Sequence, residues 1–436
     1  MEYGLIGNPL KHSFSKEVHG LISNYNYELC ELDEKDFATF MNKKDFKAIN
    51  VTIPYKKMVI PYLDYIDIDA KNMGAVNTIV NVNGKLKGYN TDVLGVISTF
   101  NKFNLDVRNK NILILGTGAT SNTAYYAINK LYDTTNSHSK VLKAYRESSK
   151  VKGDILYSNI SKVYDDINII INTTSNGMYP HANDEPLVDI SKFKNLEGVM
   201  DVVYNPLRTR LLIESENNGI HTLSGLYMLT AQAIFASIIF NNDDENVVDT
   251  IKNDIFLNKN TSSAIEKCNT IYEISLKNKL NIVLTGMPSC GKSTIGRILS
   301  KKYNYEFIDT DTLIEEKINC PISDFILKNG EKMFRDIESE VINEISTKNH
   351  AVISTGGGAI LDDKNVTNLK YNGKIFFINR SLKNLKPTSD RPLTSDIEYL
   401  TSKYNERLPI YKTTCDEEID GDLELDEKID IIMSKV

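Results

Sequence analysis

Short runs of β-branched and aliphatic residues recur along the chain. Each is followed by a longer stretch in which apolar residues return every three or four positions. The clearest runs are NILILG (111–116), INIIINTTS (167–175) and GVMDVVY (198–204). Continuous apolar runs bounded by glycine, serine and asparagine predict strands buried on both faces, and their alternation with helical stretches predicts βαβ units around parallel sheets. The rhythm breaks at NKNTSSAIEKCNTIYEISLKNK (258–279), whose polar composition predicts a surface connection. A fresh strand, LNIVLTG (280–286), opens a second alternating series. The pattern predicts an α/β protein with its main boundary in 258–279, without internal repeats or low-complexity tracts.

Composition narrows the class. The 436 residues suffice for two or three domains, and 41% hydrophobic with 25% charged residues is ordinary for a soluble globular chain. A formal net charge of −7 argues against a nucleic-acid surface, although it leaves room for a local basic pocket. Five cysteines, odd in number and free of CxxC spacing, fit reduced thiols in a cytoplasmic protein better than a disulfide framework or a zinc site. No apolar stretch reaches the roughly 20 residues of a membrane span. MEYGLIGNPL does not read as a secretion signal.

The most specific chemistry lies in the second series. GMPSCGKS (286–293) fits the pattern GxxxxGKS, follows a predicted strand and opens the apolar helix TIGRILSKKY. That context predicts a phosphate-binding loop in which Gly286, Gly291 and the amides up to Thr294 cradle phosphates. Lys292 then reaches the β/γ oxygens and Ser293 ligates Mg²⁺. Shortly downstream, FIDTDT (307–312) sets Asp309 and Asp311 two residues apart; on one strand both would face the same side, a costly arrangement when buried. GEKMFRDIE (330–338), VISTGGGAIL (352–361), SDRPL (389–393) and NERLPIY (405–411) follow.

In this order and spacing, 280–436 resembles shikimate kinase. The resemblance implies that Asp309 helps hold Mg²⁺ and that Asp311 binds and orients the acceptor hydroxyl. It implies that Arg335 and Arg407 clamp the acceptor carboxylate, a task suited to forked guanidinium groups. Gly356, Gly357 and Gly358 would let the backbone approach the acceptor ring, and Arg391 would lie in a lid over the phosphates of ATP. The family's further lid cation has no assignable match, with Lys386 merely nearby.

The first series carries other motifs. GLIGNPLKHSFSKEVHG (4–20), NVTIPYKK (50–57), GAVNTIV (74–80) and GYNTDVLG (88–95) are followed by ILILGTGATSNTAYYAI (112–128), INTTSNGMYP (171–180), DVVYNP (201–206) and GLYMLTAQA (225–233). Together they resemble shikimate dehydrogenase over about 1–257. The resemblance implies that Ser13 and Ser15 bind the substrate carboxylate and that Thr52, Asn77, Tyr204 and Gln232 make polar substrate contacts. Lys56 and Asp92 fall on the catalytic pair. An ammonium can protonate the ketone oxygen as hydride arrives, and a neighbouring carboxylate positions it and keeps it charged. Gly116, Gly118 and Ala119 form a Rossmann-type turn, with alanine where the family usually has glycine, and Gly225 falls on a further cofactor contact. Arg146 and Lys150 stand where NAD enzymes carry an acidic ribose ligand and match binders of the NADPH 2′-phosphate. Glu147 leaves an NAD reading open.

The expectation is therefore a bifunctional chain. A two-lobed dehydrogenase (1–257) has a substrate lobe at about 1–95 plus 226–257 and a Rossmann-type NADP-binding lobe at about 96–225. A linker (258–279) and a P-loop, NMP-kinase-like parallel α/β domain (280–436) follow. The expected reactions are NADPH-dependent reduction of 3-dehydroshikimate to shikimate and ATP- and Mg²⁺-dependent phosphorylation of shikimate. Two alternatives remain: a quinate-type NAD dehydrogenase joined to a small-polyol kinase, and a sensor that kept the folds without the chemistry. Oligomeric state is left open, and neither nucleic acid nor membrane is an expected partner.

Overall fold

The computed structural model describes all residues except 11–12, 136–139, 150, 243–244, 258–262 and 386–396. The chain forms two compact units, Met1–Asn205 with Glu214–Ser275, and Pro206–Ile213 with Leu276–Val436.

The first unit holds two six-stranded sheets. Strands β1 (Tyr3–Gly7), β2 (Tyr27–Glu31), β3 (Ala48–Val51), β4 (Tyr65–Ile66), β5 (Thr78–Val82) and β6 (Lys85–Tyr89) run in the order β2-β1-β3-β5-β6-β4. Only β5 is antiparallel to its neighbours. The second sheet joins β7 (Ile112–Leu115), β8 (Val141–Tyr145), β9 (Ile155–Leu156), β10 (Ile169–Asn172), β11 (Gly198–Asp201) and β12 (His221–Ser224) in the order β12-β11-β10-β7-β8-β9. Every pairing in it is parallel. Strand order reverses on either side of β7, which opens a crevice beyond the carboxyl ends of β7 and β10, the usual ligand site of such sheets.

Seven helices of this unit matter for the site. They are α1 (Ser15–Ile22), α2 (Ile68–Met73), α3 (Asp92–Lys102), α4 (Ala119–Thr135), α5 (Gly225–Asn241), α6 (Glu245–Phe256) and α7 (Ser263–Lys277). The C-terminal part of α5 returns to the first sheet, where Ile239 joins a core with Ala48, Val80 and Tyr89. Lys252 of α6 is buried between Asp67 and Asp69 at the start of α2, 2.5 and 2.8 Å away.

The segment 258–279 differs from the expected surface connection. From Ser263 it is the helix α7, and its Ile265, Cys268 and Ile271 are buried in the main core of the first unit. Tyr272 meets Phe103 and Tyr227 edge-on, at 6.0 and 5.2 Å. Apolar residues spaced by three form one face of α7, and the polar residues that dominate its composition form the other. The eight residues Pro206–Ile213, which fall inside the expected NADP-binding lobe, pack with the second unit. There Arg208 pairs with Asp416 at 2.9 Å.

The second unit is built on one parallel sheet of β13 (Asn281–Thr285), β14 (Glu306–Asp309), β15 (Ala351–Ser354), β16 (Gly373–Asn379) and β17 (Glu417–Asp420), ordered β14-β15-β13-β16-β17. Its site is framed by α8 (Lys292–Tyr303), α9 (Thr310–Ile318), α10 (Glu331–Ile345) and α11 (Ile397–Thr414). The α/β architecture is as the sequence predicts.

Candidate active sites

In the first unit the geometry centres on Asp92, the first residue of α3, whose carboxylate is almost fully buried. Lys56 Nζ donates to its Oδ2 at 2.5 Å, and Asn77 Nδ2 donates to its Oδ1 at 2.8 Å. The Asn77 amide is itself fixed, because its Oδ1 accepts the Thr91 N–H at 2.8 Å. Thr91 Oγ1 reaches Gln232 Oε1 on α5 at 3.5 Å. Close packing of α3 on α5 depends on Gly95: a Cβ there would stand 2.7 Å from the Met228 carbonyl and 3.2 Å from Gln232 Cβ. Both carboxylate oxygens thus already accept a hydrogen bond, one from Lys56 and one from Asn77.

Ser13 and Ser15 form a second group at the start of α1. Ser13 Oγ donates to Ser15 Oγ at 3.1 Å. Between them Phe14 packs on the Tyr204 ring at 5.2 Å, and burial raises the Tyr204 phenol to about 12. Thr52 turns its methyl toward Gly7, at the mouth of β1.

At the second sheet, Gly116 and Gly118 lie in the turn from β7 into α4, which Ala119 opens. The N–H groups of that helix start face the crevice region that suits a pyrophosphate. Arg146 follows β8, its N–H donating to Ser149 Oγ at 3.2 Å. The Glu147 carbonyl accepts from Lys152 Nζ at 2.7 Å. A side chain on Gly225 would collide with the Val202 carbonyl at 2.1 Å, so packing alone requires glycine there. Lys150 lies outside the described residues.

In the second unit the expected residues gather at the carboxyl ends of the strands. Lys292 opens α8, is buried, and donates to the Gly286 and Met287 carbonyls at 2.9 and 3.0 Å, inside the loop it is expected to serve. Ser293 Oγ donates to Asp309 Oδ2 at 2.8 Å. Asp309 ends β14 and caps α9, whereas Asp311 stands in the first turn of α9. The strand-to-helix junction therefore separates two aspartates that an uninterrupted strand would have aligned. Asp309 faces the phosphate loop, and Asp311 Oδ1 faces Gly356, where an added Cβ would lie 2.7 Å away.

Arg335 on α10 donates to Glu338 Oε2 at 2.7 Å, and its guanidinium lies against Gly358, 2.4 Å from where a Cβ would sit. Arg407 on α11 donates to the Gly357 carbonyl at 3.0 Å. Gly357 in turn touches Pro288 of the phosphate loop, its Cβ position being 2.8 Å from Pro288 Cδ. Asp311, Arg335 and Arg407 thus converge on the glycine turn beside the phosphate loop. Arg391 lies outside the described residues.

Glu338 was not singled out by sequence reasoning. It is 1% exposed, burial raises its carboxyl above the ordinary range, and its Oε1 has no hydrogen-bond partner among the described residues. Its only sequence signal is its place three residues after Arg335, which puts both on one face of a helix. Mg²⁺ takes hard oxygens, and Ser293 with Asp309 supply a hydroxyl and a carboxylate in contact. Among the described residues no three His, Cys, Asp or Glu side chains converge.

A Rossmann-type turn in the first unit and a phosphate loop in the second, with a cluster of polar and charged groups in each unit, define a chain that joins a dinucleotide-type oxidoreductase to a P-loop phosphotransferase. The profile of the shikimate kinase family matches residues 288–436, and that of the shikimate dehydrogenase substrate binding domain matches 5–79. The chain is 38% identical over 259 residues to a shikimate dehydrogenase (NADP(+)) of Methanosphaera stadtmanae, covering 54% of this chain and 90% of that one. It is 36% identical over 270 residues to the corresponding protein of Methanococcus maripaludis, covering 59% and 94%. Among solved structures, a chorismate mutase/shikimate 5-dehydrogenase fusion protein from Clostridium acetobutylicum is similar at 29% identity, with a TM-score of 0.50. That match covers 57% of this chain and 94% of the other. The chain belongs to the shikimate dehydrogenase family and carries a shikimate kinase domain in its second half.

Proposed function

We propose that the first unit reduces 3-dehydroshikimate to shikimate with NADPH and that the second phosphorylates shikimate at its 3-hydroxyl with MgATP. What supports this reading is that each half carries, together with its own cofactor turn, groups suited to one small polyhydroxy acid. In the first unit Ser13, Ser15 and Tyr204 hold the carboxylate end, while Asn77, Thr52 and Gln232 orient the ring. Bound NADPH supplies the hydride. Lys56 Nζ donates a proton to the ketone oxygen as charge develops there, and Asp92 holds the amine in place through its hydrogen bond. In the second unit Arg335 and Arg407 hold the carboxylate, and Asp311 accepts the hydroxyl proton as the oxygen attacks. Lys292 and Ser293 position the phosphates and the ion.

The 2′-phosphate preference rests on Arg146, supported by relatives named for NADP(+). Both units are read as cytoplasmic. Among the described residues no helix is long and apolar enough to cross a membrane. The test is steady-state turnover of the purified chain, with 3-dehydroshikimate plus NADPH or NADH and with shikimate plus MgATP. Lys56→Ala and Lys292→Ala serve as single-site controls. Absence of shikimate-dependent ADP release, or NADH oxidation faster than NADPH oxidation, would overturn the corresponding half.

A further inference from the structure

The motif NERLPIY contributes Arg407 to the acceptor site, and it also contains Tyr411. Tyr411 lies one helical turn beyond Arg407 on α11 and is 1% exposed. Its ring stacks on Phe377 of β16, with centroids 4.8 Å apart and planes 5° from parallel. Its hydroxyl donates to the Gly357 carbonyl at 2.6 Å, the same oxygen that Arg407 Nη1 reaches at 3.0 Å. One backbone oxygen therefore has two donors, four residues apart on one helix.

The two donors differ in what else they can do. Tyr411 is locked by its stack and has a single hydroxyl. Arg407 carries five N–H donors on a long stem, and its Nε is buried without a hydrogen-bond partner among the described residues. If Arg407 holds the acceptor carboxylate, as in the reading above on which this inference rests, it must turn some of its donors away from Gly357. A buried carbonyl that loses its only donor carries the full desolvation penalty. With Tyr411 in place the oxygen keeps a partner whichever way Arg407 points.

We propose that Tyr411 is a positioning residue of the kinase reaction, holding the Gly357 carbonyl so that Arg407 is free to bind the acceptor carboxylate. It touches neither acceptor nor nucleotide and acts through the glycine turn and Arg407. Gly356 and Gly358 flank this carbonyl and pack on Asp311 and Arg335. Holding Gly357 therefore also fixes the backbone between the remaining acceptor groups.

Tyr411→Phe in the full chain retains ring, stack and volume and removes the hydroxyl's hydrogen bond to Gly357 together with its contact with the Arg407 side chain. Binding of Arg407 to the acceptor then strands the Gly357 carbonyl, and the dissociation constant for shikimate rises by about tenfold. The constant for MgATP stays within about twofold. In an Arg407→Ala background the same change has no further effect on shikimate affinity, because no arginine leaves the carbonyl. Binding is measured by calorimetry with shikimate and with MgATP separately, and dehydrogenase activity checks each preparation. Unchanged shikimate affinity in Tyr411→Phe would overturn the inference while leaving the acceptor assignment intact. So would equal losses for both ligands, loss of folding in the second unit, or an undiminished effect in the Arg407→Ala background. Wild-type protein that bound no shikimate would overturn the acceptor assignment itself and this inference with it.

Discussion

His19 should make the first unit acid-sensitive. The ring is fully buried on α1, stacked on Tyr27 with centroids 3.8 Å apart, and its Nδ1 lies 2.8 Å from Tyr25 Oη. Around it stand Tyr25, Tyr27, Phe240 and Asn50, none able to compensate a positive charge. Burial lowers its pKa from 6.5 to about 3, with the Asn50 side chain opposing in part. Because the folded state holds the ring neutral, the unfolded chain binds more protons everywhere between those values. Stability is therefore complete above pH 6.5, falls as pH drops below it, and levels off near pH 3. Between pH 7.5 and 5.0 the difference in proton binding integrates to about 2 kcal/mol. His19→Phe keeps an aromatic ring in the stack and removes the titration, so its plateau shifts but this slope disappears. The two units need not unfold together, so a single midpoint for the whole chain would blur the effect. Urea unfolding should be followed by hydrogen-exchange mass spectrometry of peptides within 15–31 at both pH values. A wild-type loss that matches the variant's would show that His19 is not the source.

Three further outcomes follow from the structure. Ending the first unit at residue 257 strips Ile265, Cys268 and Ile271 from its core, at about 1.5–3 kcal/mol for each large buried side chain, so 1–257 should be insoluble or unfolded by circular dichroism while 1–277 folds. Arg146→Ala should raise KM for NADPH at least about tenfold while changing KM for NADH little, since only NADPH brings a 2′-phosphate to pair with the guanidinium; equal changes in kinetic assays would make Arg146 structural. Asp309→Asn should raise the Mg²⁺ concentration needed for turnover with shikimate affinity nearly constant, whereas Asp311→Asn should lower kcat by about 10²-fold or more with MgATP still bound; metal titrations and shikimate binding separate the two.

The parallel α/β class was legible because buried strands such as ILIL at β7 and INIIIN around β10 are continuous apolar runs, a pattern that survives any choice of partner. The phosphate loop was legible because glycine spacing, lysine and serine must stand in fixed order between a strand and a helix. The role of 258–279 was not. Its apolar residues are few and spaced by three, so average composition hides a face that only tertiary contact with Phe103 and Tyr227 reveals. Glu338 was also hidden, since an acidic residue on a helix reads as solvated until burial and the neighbouring guanidinium are visible. Tyr411 reads as core, and its ring is core; only the hydroxyl has a second task.

At the paired aspartates of FIDTDT the local geometry differs from the one the sequence suggests. Read as a strand, the spacing puts two negative charges on one face and makes their survival depend on bound metal and acceptor. In the structure β14 ends at Asp309 and a helix starts at Thr310, so alternation stops between them. Asp309 spends its Oδ1 on the Asp311 N–H at 3.2 Å, capping α9, and its Oδ2 on Ser293. A carboxylate at a helix N-terminus is stabilised by the unpaired N–H groups there without any ligand. Asp311, in the first turn of the helix, looks instead toward Gly356. The junction aims one carboxylate at the phosphate loop and the other at the glycine turn. The proposed division of labour between the two residues rests on where the strand stops.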